Sequence, residues 1–487
     1  MSIFNVFTLI VYFINFAISI TIIFKNREKP EKTIGWLLIF MLLPFVGLIL
    51  YFFIGRNWNS HNLREDISSE LSEFIDLSVK EYKGENKDLV TLVSKGNNSP
   101  LFLYNDLKIY KDGKEKFKDL LIDIKNAKHH IHLEYYIIKS DNIGREIFEL
   151  LKVKVKEGVE VRVIMDKVGC RKFDKIYLEE LKNSGIFIII YMAQLASISR
   201  FIDTSINYRN HRKMVIIDGN IGYIGGNNIG DEYLGQGELG YWRDSHLRVK
   251  GDFVLGMQAL FFEDYFSVHD INLEHSKRKY SVQEDIYNLE SNLQAYFPIT
   301  KTENYAPMQI VYNGPASEHS TIEQLFLKLI TSAKKTIHIS SPYFIPSASL
   351  SNALIIAIQS GIEVKILFPE QYDHPPVGHA SMTYIKELLD VGAKFYYYDK
   401  NAFSHNKAIV IDSKMFTLGT ANFDVRSFFY NYEVNAIIYD RKTSQEMIDL
   451  FDEDLLVSRK LTLTEYNEGS KFTHFKESFF RIFSPLF

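Results

Sequence analysis

The sequence predicts an α/β chain of two similar lobes that form an intrachain pseudo-dimer, preceded by a hairpin of two hydrophobic helices. Three observations lead there. One pattern occurs twice with identical spacing: His211-Arg212-Lys213, four residues, Asp218, six residues, Gly225-Gly226-Asn227-Asn228, and then His405-Asn406-Lys407, four residues, Asp412, six residues, Gly419-Thr420-Ala421-Asn422. The stretches ahead of the two copies repeat each other as alternating helix and strand patterns. Two almost continuously apolar segments, residues 4–24 and 34–54, precede both.

Each apolar segment is close to the roughly 20 residues that a helix needs to cross a bilayer, and a short polar turn joins them. Residues 1–56 are therefore expected to form a membrane anchor, a transmembrane helical hairpin of two spans. A cleaved signal peptide is the competing reading of the first segment; the lack of a basic region before it and the second apolar segment after it speak against that. Pro44 can kink the second segment, so a re-entrant or interfacial hairpin stays open. The turn carries Lys25, Arg27, Lys29 and Lys32, against Arg56 and Arg64 beyond the second segment. Taken literally, the positive-inside rule puts the turn in the cytoplasm and the lobes outside. A hairpin that does not span would void that rule, and the side is left undecided.

Residues 57–100 are polar and mixed in charge, a connector with one or two helices. The first lobe, residues 101–270, runs from Ala127-Lys128 into a strand pattern at 131–138, then Gly158-Val159-Glu160-Val161, then Tyr177-Leu178-Glu179-Glu180-Leu181 before Gly185. The second lobe, residues 308–487, repeats this: Ala333-Lys334 into 336–340, Gly361-Ile362-Glu363-Val364, and Tyr384-Ile385-Lys386-Glu387-Leu388 before Gly392. Both read helix, strand, helix, strand, helix, strand, motif. Such alternation predicts right-handed crossover units on a mostly parallel or mixed sheet covered on both faces. Residues 271–307, broken by Pro298 and Pro307, are the expected linker. In the tail, Phe472, Phe475, Phe479 and Phe483 recur at helical intervals among Lys471, Lys476 and Arg481. An amphipathic helix there suits a membrane interface or an ordinary core equally.

A chain of 487 residues exceeds one ordinary core, in keeping with two lobes and an anchor. The formal net charge of -4 is a poor fit to a protein gripping nucleic acid through a broad basic surface. Cys170 is the single cysteine, so no intrachain disulfide forms. No Cys or His cluster has metal-ligand spacing, and His129, His130 and His132 read as strand residues.

Each motif offers what a transferred phosphoryl group needs. Side chains alternate along an extended segment, so His211 and Lys213 share a face, as do His405 and Lys407. Imidazole is a nucleophile or proton carrier near neutral pH, and lysine offers positive charge to phosphate oxygens. The glycines allow close backbone approach and an Asn amide donates to oxyanions.

At these residues the chain resembles the phospholipase D superfamily, with its paired His-x-Lys-x4-Asp motifs, and within it the bacterial cardiolipin synthases. The finer likeness lies in the flanks Asn228-Ile229-Gly230-Asp231-Glu232-Tyr233 and Trp242-Arg243-Asp244, then Asn422-Phe423-Asp424-Val425-Arg426-Ser427-Phe428 and Asn431-Tyr432-Glu433. It runs along essentially the whole chain. The resemblance implies two phospholipase D-like lobes whose motifs meet across a pseudo-twofold axis in one active site.

It further implies that one motif histidine attacks phosphorus to give a phosphohistidine, while the other protonates the departing alcohol and deprotonates the incoming one, with no metal or cofactor. Family precedent makes His211 the nucleophile and His405 the acid and base, although the motifs themselves are nearly equivalent. Lys213, Lys407, Asn228 and Asn422 would hold the phosphoryl oxygens. Asp244 and Glu433 stand where the family places histidine-orienting carboxylates; a surface salt bridge is the competing reading. Asp218 and Asp412 complete the catalytic motifs, and the family role for them is to tie the motif strand to its neighbours. Gly226 stands where the superfamily often has a hydroxyl residue, which Thr420 keeps, so a hydroxyl contact to phosphate is expected at most in the second half. The implied reaction moves a phosphatidyl group from one phosphatidylglycerol to another, making cardiolipin and glycerol. Its partners are phosphatidylglycerol and membrane lipids, with no nucleic acid expected. A hydrolytic phospholipase D and a membrane-tethered nuclease are the alternatives.

Overall fold

A computed structural model describes residues 3–25, 30–45, 47, 69–191, 208–273, 292–300, 302–315, 317 and 319–487. The chain divides into two compact units, residues 1–62 with 194–208, and residues 63–193 with 209–487.

In the first unit the helices Ile3–Lys25 and Pro30–Leu42 pack through Ile22, Trp36 and Phe40. The Asn15 amide donates to the Pro44 carbonyl at 3.0 Å. Phe13, Phe16, Met41 and Leu42 are exposed. The second helix is 13 residues long, short of the roughly 20 that a span requires. Among the described residues no helix is long and apolar enough to cross a membrane, so the expected two spans are not seen there. Residues 48–54, the end of the second apolar segment, lie outside the described residues.

The second unit is a tandem repeat. In its first half the strands His246–Gly251, Ile221–Gly225, Lys213–Ile217, His130–Tyr135, Glu160–Asp166 and Phe187–Tyr191 lie side by side in that order. The second half repeats it with Asn431–Ile438, Met415–Gly419, Ala408–Ile411, Thr336–Ser340, Glu363–Phe368 and Lys394–Tyr397. The three strands ending each series are parallel and the others antiparallel, a mixed sheet. The two series are one continuous sheet, because Phe102–Tyr110 pairs with Tyr305–Asn313 at its start and with His246–Gly251 along the rest. The helices Gly113–Asn126, Asn142–Lys156 and Lys175–Asn183 correspond to Thr321–Ser332, Ala348–Gln359 and Pro375–Asp390. Capping follows the sequence: Asp112, Asp141, Ser320 and Ser347 each accept a backbone N–H from the first turn they precede. Gly158 and Gly361 both take φ 88° after their helices, a left-handed conformation that suits glycine.

The segment expected as a connector does more than connect. Its helices are Ser69–Glu81 and Lys87–Asn97, and Leu89, Val90 and Val93 enter one core with Ile322, Leu325, Phe326 and Leu329 of the second half. Gln309 secures that helix, donating to Ser94 Oγ at 2.8 Å and to the Val90 and Ser99 carbonyls. The linker also narrows. Phe253–Leu273 continues past residue 270 and Tyr305–Asn313 begins before 308, because one helix covers the sheet and one strand joins its halves. Residues 274–291 lie outside the described residues. His130 and His132 are buried strand residues bridged by the Gln258 amide at 2.9 Å each.

Candidate active site

Each motif histidine is carried on a strand borrowed by the opposite half. Arg209–Asn210 pairs in parallel with Asn431–Tyr432, and the His211 N–H donates to the Tyr432 carbonyl at 2.9 Å. Ala402–Ser404 pairs in parallel with Tyr241–Arg243, and the His405 N–H donates to the Arg243 carbonyl at 2.8 Å. The next residue of each partner strand is a carboxylate. Consequently His211 Nδ1 lies 2.9 Å from Glu433 Oε2, and His405 Nδ1 lies 2.7 Å from Asp244 Oδ2. The orienting carboxylates are exchanged between halves. With Nδ1–H donated to a carboxylate, Nε2 is the atom left for chemistry in each ring.

The two settings differ in detail. Glu433 also accepts the Thr420 hydroxyl at 2.5 Å and the Asn431 amide at 3.0 Å. Asp244 accepts the Ser245 N–H at 2.8 Å, and a Cβ on Gly226 would fall inside its carboxylate. The hydroxyl of Thr420 thus serves a carboxylate, and in the first half Asp244 occupies the space a side chain would need. Gly226→Ala should displace Asp244 and cost about 100-fold in turnover, the scale of an ångström's misplacement, whereas Thr420→Ser should keep most activity. Product formation rates of the two variants check this.

Both lysines are buried. Lys213 Nζ donates to the His211 carbonyl at 2.7 Å, and Lys407 Nζ lies 2.5 Å from the His405 carbonyl and 3.0 Å from its Nδ1. Asn228 is held in place, its oxygen accepting the Ile137 N–H and its amide donating to the Tyr233 hydroxyl, both at 3.1 Å. That hydroxyl is 3.4 Å from His405 Nδ1. Asn422 is buried with its side-chain oxygen unpartnered among the described residues. Asp218 accepts the N–H groups of Lys128, His129 and His130, and Asp412 those of Lys334, Lys335 and Thr336, all at 2.7 to 3.0 Å. Both aspartates take φ 52° and tie the motif strand to its neighbour, away from the imidazoles.

Burial dominates the electrostatics. It lowers His211 to about 4, with Glu433 opposing and Lys213 and Lys407 assisting. His405 falls to about 4 through burial and Lys407, against Asp244. The charge of one motif lysine thus acts on the other motif's histidine, so both motifs share one site. Burial works to raise Glu433, but His211, Lys213 and the Thr420 hydroxyl outweigh it and keep the carboxylate ionised. Lys213 drops to about 7, burial leading, and Lys407 is lowered by the same cause. A lysine with that value loses its charge as pH rises through about 7. In the free enzyme the fall of kcat/KM with pH should therefore steepen above about 7 and should not steepen in Lys213→Arg, whose guanidinium does not titrate; equal slopes of the two profiles from about pH 6 to 9 would refute it.

Sequence reasoning missed the aromatic surroundings. Tyr136 stands edge-on to His211 at 4.9 Å between ring centres, and Trp242 lies 5.1 Å from His405. Trp242 and Tyr233 fall within the flanks that carried the resemblance; Tyr136 ends a strand pattern and bears no local signal.

Comparison with known proteins agrees with this geometry. The family described as cardiolipin synthase, PLD-like domain, matches residues 120–241 and 326–455, and the phospholipase D-nuclease N-terminal family matches residues 13–56. The major cardiolipin synthase of Bacillus subtilis (strain 168) is 39% identical over 501 residues, covering 100% of both chains. The cardiolipin synthase of Listeria monocytogenes serotype 4a is 38% identical and covers 98% of each. Among solved structures, phosphatidylserine synthase of Haemophilus influenzae Rd KW20 shares the fold with a TM-score of 0.61 at 15% identity, over 82% of this chain and 100% of that one.

Proposed function

Because this chain belongs to the cardiolipin synthase family of phospholipase D-like proteins, we infer that its site moves a phosphatidyl group from one phosphatidylglycerol to another. It is a phosphatidyltransferase, and the products are cardiolipin and glycerol. The observation that carries the mechanism is the pair of buried imidazoles, each with Nδ1 on a carboxylate of the opposite half.

In the first step His211 Nε2 attacks the donor phosphorus. The bond from phosphorus to the glycerol oxygen breaks, and the His405 imidazolium gives that oxygen its proton. In the second step neutral His405 takes the proton from a glycerol hydroxyl of the second lipid. That oxygen attacks phosphorus, the phosphorus–nitrogen bond breaks and His211 is restored. Lys213 and Lys407 offset charge on the phosphoryl oxygens, with Asn228 and Asn422 as further contacts. Asp244 and Glu433 stabilise whichever ring is cationic. Labelled phosphatidylglycerol given to membranes containing the enzyme tests this. Cardiolipin plus glycerol supports transfer, phosphatidic acid alone makes the enzyme a hydrolase, and degradation of DNA instead of lipid makes it a nuclease.

The protein works at a membrane, and its two apolar N-terminal helices, with their exposed Phe and Leu side chains, serve as the hairpin anchor. The helix Lys471–Arg481 supplies a second contact: Phe472 and Phe475 are 65% and 63% exposed, and Lys471 and Lys476 can meet anionic lipid. Deleting residues 1–56 should weaken sedimentation with lipid vesicles, and adding Phe472→Ser with Phe475→Ser should release the rest. Full release by the deletion alone would exclude the tail as a contact.

A further inference from the structure

The two strand crossings that pair each histidine with its carboxylate are built unequally. The residue after the motif histidine is Arg212 in the first copy and Asn406 in the second, and the residue ahead of the orienting carboxylate is Arg243 in one strand and Tyr432 in the other. Each crossing therefore carries one arginine, on the histidine strand at His211 and on the carboxylate strand at His405. Both arginines belong to the first half. Arg212 is 2% exposed and Arg243 3%, and a charge so deeply buried is costly unless it is paired and hydrogen-bonded.

Both are paired, each with an aspartate on the long helix of the half that supplies the histidine. Arg212 Nη1 bonds Asp264 on Phe253–Leu273, and Arg243 Nε donates to Asp454 on Arg441–Leu456 at 2.9 Å. Their other N–H groups reach the backbone on which the carboxylate of the opposite half stands. Arg212 Nε donates to the carbonyl of Glu433 itself at 3.4 Å, and its Nη2 to the carbonyl of Asn313 at 3.5 Å, the residue that faces Glu433 in the sheet. Arg243 Nη1 donates to the Lys111 carbonyl at 2.9 Å and to the Ser245 hydroxyl at 3.1 Å, and it is the Ser245 N–H that holds Asp244. The Arg243 carbonyl in turn accepts the His405 N–H. Each guanidinium thus bridges the half that owns the histidine and the half that owns its carboxylate.

A guanidinium suits that place because its rigid fork sends donors in several directions at once, which a lysine cannot do. An imidazole works as nucleophile or proton carrier only while its carboxylate stays on Nδ1, and that carboxylate comes from a strand of the other half, so a small slip between halves separates the pair. Resting on the phosphatidyl-transfer reading, we propose that Arg212 and Arg243 are positioning residues, each fixing one carboxylate against its imidazole across the crossing. Arg212 sets Glu433 for attack by His211, and Arg243 sets Asp244 for the proton transfers of His405. Neither guanidinium touches the reacting atoms; each acts through the carboxylate that it holds.

Single-turnover labelling of full-length enzyme in vesicles of phosphate-labelled phosphatidylglycerol tests this, because it reads the fraction of enzyme labelled separately from the rate constants of labelling and discharge. Arg212→Gln should slow formation of the labelled enzyme about tenfold or more, and Arg243→Gln should slow its discharge to cardiolipin by a similar factor, with the labelled fraction kept near that of wild type. Because each variant leaves an aspartate buried without its cation, the neutral pairs Arg212→Gln with Asp264→Asn and Arg243→Gln with Asp454→Asn are measured beside them and should show the same slowed steps. A smaller labelled fraction with unchanged rate constants would make the ion pairs supports of the fold alone and overturns the proposal. Wild-type rate constants in the neutral pairs, or the two slowed steps exchanged between the arginines, also overturn it. If wild-type enzyme forms neither label nor cardiolipin, the transfer reading itself falls, an outcome separate from failure of the positioning role.

Discussion

His405→Ala should lower cardiolipin formation by at least about 10⁴-fold and leave an enzyme that slowly accumulates covalent label from phosphate-labelled phosphatidylglycerol; His211→Ala should lose a similar factor and accumulate none. The magnitude follows from what each ring supplies. Without the nucleophile the covalent route is closed, and without the acid the glycerol oxygen leaves as an alkoxide, a loss of roughly 10²–10⁴ for general acid catalysis alone, incurred again when the acceptor must be deprotonated. The label should be acid-labile and base-stable, as a phosphoramidate is. Both rings are buried near two lysines and fall to about 4 in the free site, which leaves the attacking imidazole neutral; a bound anionic phosphate then favours protonation of the other. Label retained by His211→Ala and lost by His405→Ala would exchange the two roles.

Asp244→Asn should reproduce the His405→Ala behaviour, and Glu433→Gln that of His211→Ala, each with a loss of about 10²–10⁴-fold. The magnitude is that of replacing an imidazole's orienting carboxylate by an amide, which permits the wrong tautomer and removes the charge that steadies the imidazolium. The assignment comes from the crossed contacts of 2.7 Å from Asp244 to His405 and 2.9 Å from Glu433 to His211. It makes a prediction that proximity in sequence does not: Asp244→Asn should still form the labelled intermediate and fail to discharge it, while Glu433→Gln should fail to form it. The opposite pairing of phenotypes would mean that each carboxylate serves its own half. Glu433 retains Thr420 and Asn431 as further donors, so its amide variant stays anchored and the comparison reads chemistry, with little contribution from misfolding.

Much of this enzyme was legible in the order of its residues. Two motifs in register, two equivalent series of helices and strands, and an apolar leading segment are local properties, carried by spacing and by the periods of helix and strand. The same holds for Asp218 and Asp412, whose left-handed φ and three accepted N–H bonds belong to a turn closed at the end of a strand. What local pattern cannot carry is which strand pairs with which across two hundred residues. Asp244 lies some thirty residues behind His211 and far ahead of His405, yet the parallel pairing of Tyr241–Arg243 with Ala402–Ser404 delivers it to His405. The polar composition of residues 57–100 likewise concealed Leu89, Val90 and Val93, which become core only because Thr321–Ser332 lies over them. The partners of Asn228, the Tyr233 hydroxyl and the Ile137 N–H, also carry no signal in the local pattern. Sequence by itself determined the α/β class and the doubled motif, because these follow from residue type and spacing, and the family resemblance carried by those motifs supplied the reaction type. Tertiary structure alone decided how the two halves share their catalytic parts, because hydrogen-bond partners between distant strands are chosen by packing of the whole sheet.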